Sequence, residues 1–199
     1  MNSVFTTSAV GASGQFQYFQ QAICQAVIRL GARRERAGPY DAEIRTQQFG
    51  PLEFADIRCD PVVIERSRQD IAVDGGAFYF LTLQLEGVGR VSQRGREVTL
   101  QPGEFTLVDS TEPYVLRFDL PVHRLIVRVP QGELDCRMRS GIDLRAVRFA
   151  AHCVGTRLVA SVLLGLSAET HVRERGGEAL LASSALDLLT TAMLSNHVR

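Results

Sequence analysis

Neither sign of charge is in excess in this chain: its 199 residues hold 22 Lys+Arg and 22 Asp+Glu, for a formal net charge of zero. A neutral chain exerts no global attraction on phosphate, which argues against a DNA-gripping surface within it. The four cysteines, Cys24, Cys59, Cys136 and Cys153, form no CxxC and follow no regular spacing. That speaks against a disulfide framework and against a cysteine-held metal, and leaves small, reduced, mostly buried apolar residues. No run approaches the ~18 apolar residues of a membrane span, and Met1–Ser8 lacks the basic start and apolar core of a secretory leader. The expected compartment is the cytoplasm, with no membrane partner. Hydrophobic content of 45% and charged content of 22% are ordinary for a globular chain, long enough to bury a core without disulfide support.

What is present is dominated by short strands. Phe78-Tyr79-Phe80-Leu81-Thr82-Leu83-Gln84-Leu85 leads through Glu86-Gly87-Val88-Gly89 into Arg90-Val91-Ser92-Gln93. An Arg94-Gly95-Arg96 corner, Val98-Thr99-Leu100, a Pro102-Gly103 turn and Phe105-Thr106-Leu107-Val108 follow. Closely spaced antiparallel strands with glycine punctuation predict a closed or sandwiched all-β unit. Strand patterns cover 43–49, 52–59, 62–68, 77–85, 89–94, 96–100, 104–109, 114–118 and 123–129, separated by turns at Gly50-Pro51, Asp60-Pro61, Asp74-Gly75-Gly76 and Gly95. That number of short strands suits a jelly-roll barrel, and the Gly95…Pro102-Gly103 spacing resembles the second half of a cupin barrel.

Helices are expected on either side. Residues 1–14, small and polar, read as an N-terminal arm. Phe16, Phe19, Ile23, Val27 and Leu30 recur at helical spacing and predict an amphipathic helix over 15–36, ending near Gly31. Arg33, Arg34 and Arg36 then read as solvated charge at its C-terminus, where the macrodipole favours them, rather than as a partner contact. Beyond Leu134 the strand patterns stop, and Gly141-Ile142-Asp143-Leu144 makes a connection. A helix over 149–166 carries Val154, Leu158, Val162 and Leu166 on one stripe, widened by Val159 and Leu163. After the Gly176-Gly177 break, a helix over 178–197 carries Leu181, Ala185, Leu188 and Ala192 on one side, with Leu180, Leu186, Leu189, Met193 and Leu194 spreading its apolar surface. A helix apolar over most of its girth needs two partners. Leu158, Val162, Leu181, Ala185, Leu188 and Ala192 are therefore the candidate interface with a second copy of the chain. The organisation expected is an arm (1–14), an N-terminal helix with a barrel (15–148) and a helical hairpin for dimerisation (149–199).

The chemistry narrows by spacing. A metal-dependent cupin needs a His-x-His pair on one strand, a nearby Glu and a third His on a later strand. The strand Phe80–Leu85 has no His, the position three after Gly103 is Thr106, and of His123, His152, His171 and His197 only the first lies in the barrel. No metal and no cofactor is expected. No Gly-x-Ser-x-Gly elbow exists, Cys59 and Cys136 have no local histidine signature, and Gly87-Val88-Gly89 joins two strands rather than opening a helix. No catalytic residue is assigned. What remains is a small-ligand pocket built from a few polar groups among apolar ones. Alternation puts Phe78, Phe80, Thr82 and Gln84 on one strand face, lining a cavity or facing solvent, and Tyr79, Leu81, Leu83 and Leu85 on a core face. His123, sharing a face with Leu125, Val127 and Val129, is an inward ligand contact or a satisfied core histidine. Arg66 and Arg68, on one face of a strand, clamp a carboxylate or are surface arginines. The candidate ligand-binding set is Phe80, Thr82, Gln84, Arg66 and His123.

The run 79–89, with Arg96–Phe105 and Val108-Asp109-Ser110-Thr111-Glu112-Pro113-Tyr114, resembles the N-terminal sensor domain of AraC/XylS-type transcriptional regulators. Within that family it is similar to the subgroup whose sensor domains begin with an amphipathic helix, and His123–Pro130 is similar to that subgroup's last barrel strand. The resemblance covers residues 15–195 and rests on turns and apolar patterns rather than on one diagnostic residue. It implies a cupin-like jelly-roll barrel, mainly β with flanking helices, that binds a small-molecule effector and homodimerises through its C-terminal helices. In the family, a C-terminal domain with two helix-turn-helix motifs binds DNA. This chain stops at Arg199 without such a domain, so a separated sensor domain or a truncated member is expected, touching DNA only through a domain not in this chain. Two other readings stay open: a metal-free cupin enzyme of isomerase or lyase type, and a dimerisation module with a filled barrel.

Overall fold

The computed structural model describes residues 2–138, 143, 145–168 and 177–197. Gly141, Ile142 and Leu144 of the expected connection, Gly176 of the expected break, and His171 lie outside the described residues. In chain order the elements are β1 (Ser3–Thr6), α1 (Gln15–Ala26), β2 (Gly31–Arg33), β3 (Ala42–Phe49), β4 (Leu52–Cys59), β5 (Val62–Arg66), α2 (Arg68–Val73) and β6 (Phe78–Glu86). They continue as β7 (Gly89–Gln93), β8 (Arg96–Leu100), β9 (Phe105–Asp109), β10 (Tyr114–Phe118), β11 (Val122–Pro130), α3 (Gln131–Asp135), α4 (Val154–Ala168) and α5 (Gly177–His197). None of the described helices is long and apolar enough to cross a membrane.

The strands form two antiparallel sheets, ordered β1-β3-β4-β11-β6-β9 and β2-β5-β10-β7-β8, in the arrangement of a cupin-like jelly roll. Their inner faces share one core. Ile44, Ile57, Phe80, Val108 and Ile126 come from the six-stranded sheet, Val62, Ile64, Val91, Tyr114, Leu116 and Phe118 from the five-stranded one, and Phe19 and Ile23 from α1. A second core lies on the outer face of the six-stranded sheet. There Leu81, Leu83, Leu125, Val127 and Val129 meet Val159 and Leu163 of α4 and Ala185, Leu186 and Leu189 of α5. Strands β6 and β11 are thus covered on both faces, which is why their sequences read as nearly unbroken apolar runs.

Four expectations change at the edges. Residues 2–14 are no loose arm: β1 pairs with β3, placing Phe5 opposite Ile44, and Phe5 packs on the inner core. The helix expected over 15–36 ends at Ala26, and Gly31–Arg33 is an edge strand on β5. Helical periodicity overran because Val27 and Leu30 remain buried in the same core after the chain has left helical geometry, Val27 standing at φ −122°, ψ −76°. Arg33 therefore lies in a strand, and Arg34 stacks on Phe16 while donating to the Gly38 carbonyl. The strand expected to reach Arg68 stops at Arg66, where Ser67 and Asp70 form a capping box that starts α2. Finally, α4 begins at Val154 rather than Phe149; Phe149 instead bridges to Phe105 beside β9.

Candidate functional site

Alternation along β6 resolves in favour of the interior. Phe80, Thr82 and Gln84 all point between the sheets and are buried, while Leu81 and Leu83 face the C-terminal helices. The other two candidates go elsewhere. Arg66 is fully buried and spends its guanidinium on three backbone carbonyls: Nε donates to Ser110 at 2.8 Å, Nη1 to Arg29 at 2.5 Å and Nη2 to Asp74 at 2.7 Å. It pins α2 and the segment after α1, and is neither a surface arginine nor free to clamp a ligand. His123 does share a face with Leu125, Val127 and Val129, but that face is the outer one. Its Nε2 sits 3.0 Å from both carboxylate oxygens of Asp56 on β4, at the margin of the outer surface.

The reversed parity puts Arg124 inside. Its pairing partner on β6 is Gln84, just past a register shift between His123 and Arg124. The side chain is 0% exposed, its charged carbon lies 4.3 Å from the centre of the Phe118 ring, and among the described residues Nε, Nη1 and Nη2 have no hydrogen-bond partner. Desolvation holds this guanidinium below its ordinary pKa, and the ionisable groups acting on it are Cys59, Tyr40 and Tyr114. Burial pushes all three of those groups up, so each is neutral at physiological pH. Among the described residues the charge therefore has no anionic neighbour. Two further polar atoms in the same interior are also unpaired: the Thr82 hydroxyl and Gln84 Oε1, whose amide nitrogen is spent on the Glu86 carbonyl. Arg124 was missed because the face carrying it, with Arg128, looks the more polar of the two and so reads as the outer one, while Leu125, Val127 and Val129 read as core. The clue available was the choice between faces itself: with Leu125, Val127 and Val129 toward the helices, an arginine beside Ile126 has to lie inside.

Space is distributed unevenly around these groups. The interior void bounded by Ile23, Val27, Leu30, Phe80, Thr82 and Arg124 is about 10 Å³, room for roughly one water. At the barrel mouth, the loops around Pro39, Pro61 and Leu120 enclose a groove of about 480 Å³. Tyr40, Val62 and Phe118 belong to its lining and also to the inner core. Phe118 thus touches both the groove and Arg124.

The C-terminal interface candidates divide. Ala185 and Ala192 are buried in the outer core and Leu188 is partly buried against it. Leu158, Val162 and Leu181 remain 51%, 36% and 49% exposed, together with Val154 and Leu180. The expected single stripe on α5 is thus two surfaces, one consumed within the chain.

A two-sheet barrel with polar groups left unpaired in its interior, carrying a helical pair on one outer face, defines a small-ligand-binding domain of the cupin-like kind. The chain belongs to the AraC-binding-like domain family, which it matches over residues 19–195, and is an effector-sensing domain of the AraC type of transcriptional regulator. It is 30% identical to an uncharacterized protein in the nit 5′ region of Bacillus sp. (strain OxB-1), over 97% of this chain and 75% of that one. It is also 30% identical to the transcriptional activator NphR of Rhodococcus sp., over 77% of this chain and 47% of NphR. The fold matches the crystal structure of the AraC-like transcriptional activator CuxR with a TM-score of 0.82 at 14% identity, covering 98% of this chain and 70% of CuxR. The chain therefore spans about three quarters of one curated relative and about half of the other.

Proposed function

We propose that the chain binds a small effector between its two sheets, homodimerises through α4 and α5, and passes the bound state to DNA through a helix-turn-helix domain outside these 199 residues. The observation that carries this reading is the make-up of the interior, where α1 and both sheets converge on Thr82, Gln84 and Arg124, three buried groups with unpaired polar atoms. A ligand there would touch every layer of the barrel at once. An arginine, a threonine and a glutamine hold a molecule rather than transform it, since none of them exchanges protons near neutral pH. Homodimerisation is supported by the exposed apolar residues Val154, Leu158 and Val162 on α4 and Leu180 and Leu181 on α5.

A small-molecule thermal-shift panel combined with light scattering tests both halves. A dimer mass, and a Tm raised by one chemical class of compound, are the expected results. A monomer mass at high concentration would remove the dimer, and a panel of broad chemistry without any shift would favour a filled barrel.

A further inference from the structure

Arg124 poses a physical problem that the effector-sensing reading does not by itself solve. A guanidinium stays charged in a protein, and removing it from water is costly unless hydrogen-bonded anions or dipoles replace the solvent. Among the described residues the specific contact made to the guanidinium is the face of Phe118 at 4.3 Å, and a cation–π contact is small against the desolvation of a full charge. The contrast with Arg66 shows what this fold does when an arginine is structural: three carbonyls take its donors. Arg124 has the same burial and none of those partners. The unpaired group complementary to a planar, five-donor cation is a planar anion that accepts two parallel hydrogen bonds, a carboxylate. Thr82, facing the same interior, offers a further donor.

We infer that the effector is a small carboxylic acid with an apolar body, its carboxylate held by Arg124 and its body lying in the mouth groove. This rests on the effector-sensing reading and names its ligand class. The groove, at about 480 Å³, falls in the range of small-ligand sites. Tyr40, Pro61, Val62, Phe118 and Leu120 form its apolar part, beside Arg34 and Arg36 and three acidic residues. Its acidic members are engaged: Glu35 and Asp119 pair with Arg117 and Arg90, and Asp60 accepts the Asp41 backbone N–H. The Phe118 ring lines the groove and lies 4.3 Å from the guanidinium, so it marks the route we assign to the carboxylate. Gly89 frames that ring, since a Cβ there would lie 2.7 Å from Phe118 and 2.9 Å from Gln84 Oε1.

The test uses the full chain and matched probes: hexanoate and 3-phenylpropanoate, each against its own primary amide, with hexyl phosphate as a second anion. The expected result is a Tm raised by roughly 3–6 °C at ten times Kd for a carboxylate and no shift for its amide. Arg124→Met, which removes the unpaired charge and keeps apolar volume, is expected to raise the Tm of the unliganded protein by roughly 5 °C and to abolish the carboxylate shift. Thr82→Val is expected to leave the unliganded fold unchanged and to weaken the carboxylate several-fold. Amides that stabilise as well as acids, or a carboxylate shift that survives Arg124→Met, overturn the assignment while a small-molecule sensor stands. Hexyl phosphate outperforming hexanoate overturns it in favour of phosphate esters. An unliganded Arg124→Met protein that melts below the wild type, with no probe shifting either, shows Arg124 to be structural and counts against the sensing site as well.

Discussion

At the scale of single residues, arginine carries most of what is distinctive. The chain contains no lysine, so all 22 of its Lys+Arg residues are arginines, and among the described residues two of them, Arg66 and Arg124, are completely buried. Arg66 ends β5 after Ile64-Glu65, and Arg124 lies within β11 between His123 and Leu125; neither context announces a buried arginine. They differ in what surrounds the guanidinium, which depends on segments remote in the chain: Arg29, Asp74 and Ser110 converge on Arg66, whereas rings and a thiol converge on Arg124. Arg66→Met would leave three carbonyls without their donors and is expected to destabilise the protein by about 3 kcal/mol. A urea midpoint for Arg66→Met equal to the wild type would show that water replaces those bonds. The same Arg-to-Met change is thus expected to act in opposite directions at positions 66 and 124. Alternation groups Phe80, Thr82 and Gln84 on one face of β6 but leaves that face either lining a cavity or facing solvent, and burial decides between the two. The placement of His123 and Arg124 was not legible, because the period does not say which face is inner when both are covered.

At the scale of elements, the paired helices show how far an apolar pattern reaches. The apolar breadth of 178–197 predicts two partners. The outer face of the six-stranded sheet takes Ala182, Ala185, Leu186, Leu189 and Met193, and a second copy of the chain is the proposed other partner. Sequence alone cannot divide a helix between an internal and an external partner when the internal one, here Leu81, Leu83, Leu125 and Val127, is assembled from strands far apart in the chain. The burial pattern makes the division. Leu158→Glu and Leu181→Glu alter exposed positions and are expected to give a monomer whose stability stays within about 0.5 kcal/mol of the wild type. Ala185→Glu would put a charge into the outer core, and is expected to unfold the domain or cost about 3 kcal/mol or more. Light scattering and urea titration of these variants separate association from folding. If Leu158→Glu and Leu181→Glu both remain dimers, the interface lies elsewhere. The short α2 was legible as well: Ser67-Arg68-Gln69-Asp70 is a capping-box pattern, overlooked because the preceding strand pattern ran into it.

At the scale of the whole molecule, the question is how an interior event reaches the C-terminal helices. Their connection to the barrel runs past β9, where Leu107 bridges Arg145 and Phe105 bridges Phe149. Arg145 Nη1 lies 3.0 Å from Asp109 Oδ2, and an ionic cluster of Arg94, Glu112, Asp143 and Arg145 surrounds that strap. The hydrogen bond from Arg94, opposed by partial burial, holds the Glu112 carboxyl below its usual range. A depressed folded pKa means that Glu112 contributes its stability in full above the ordinary carboxylate range near pH 4–5 and loses it as pH falls through the lower folded value. Glu112→Gln is therefore expected to be less stable than the wild type at pH 7 and to converge with it near pH 2. Urea midpoints measured across that interval would show parallel curves if the cluster is not linked to folding. The other end of the pathway is α1, whose Ile23, with Val27 and Leu30 just beyond it, closes the interior over Thr82 and Arg124. With only about 10 Å³ empty, no ligand carboxylate reaches Arg124 without displacing something, and the irregular segment 27–30 has fewer backbone constraints than either sheet. Binding is thus expected to change amide exchange first at 27–33 and then at the 145–149 strap, with the centres of β4 and β6 unaffected. Hydrogen exchange with and without a stabilising carboxylate measures this. Protection confined to the mouth loops around residues 39, 61 and 120 would mean that the ligand stays in the groove and that the barrel does not transmit its presence.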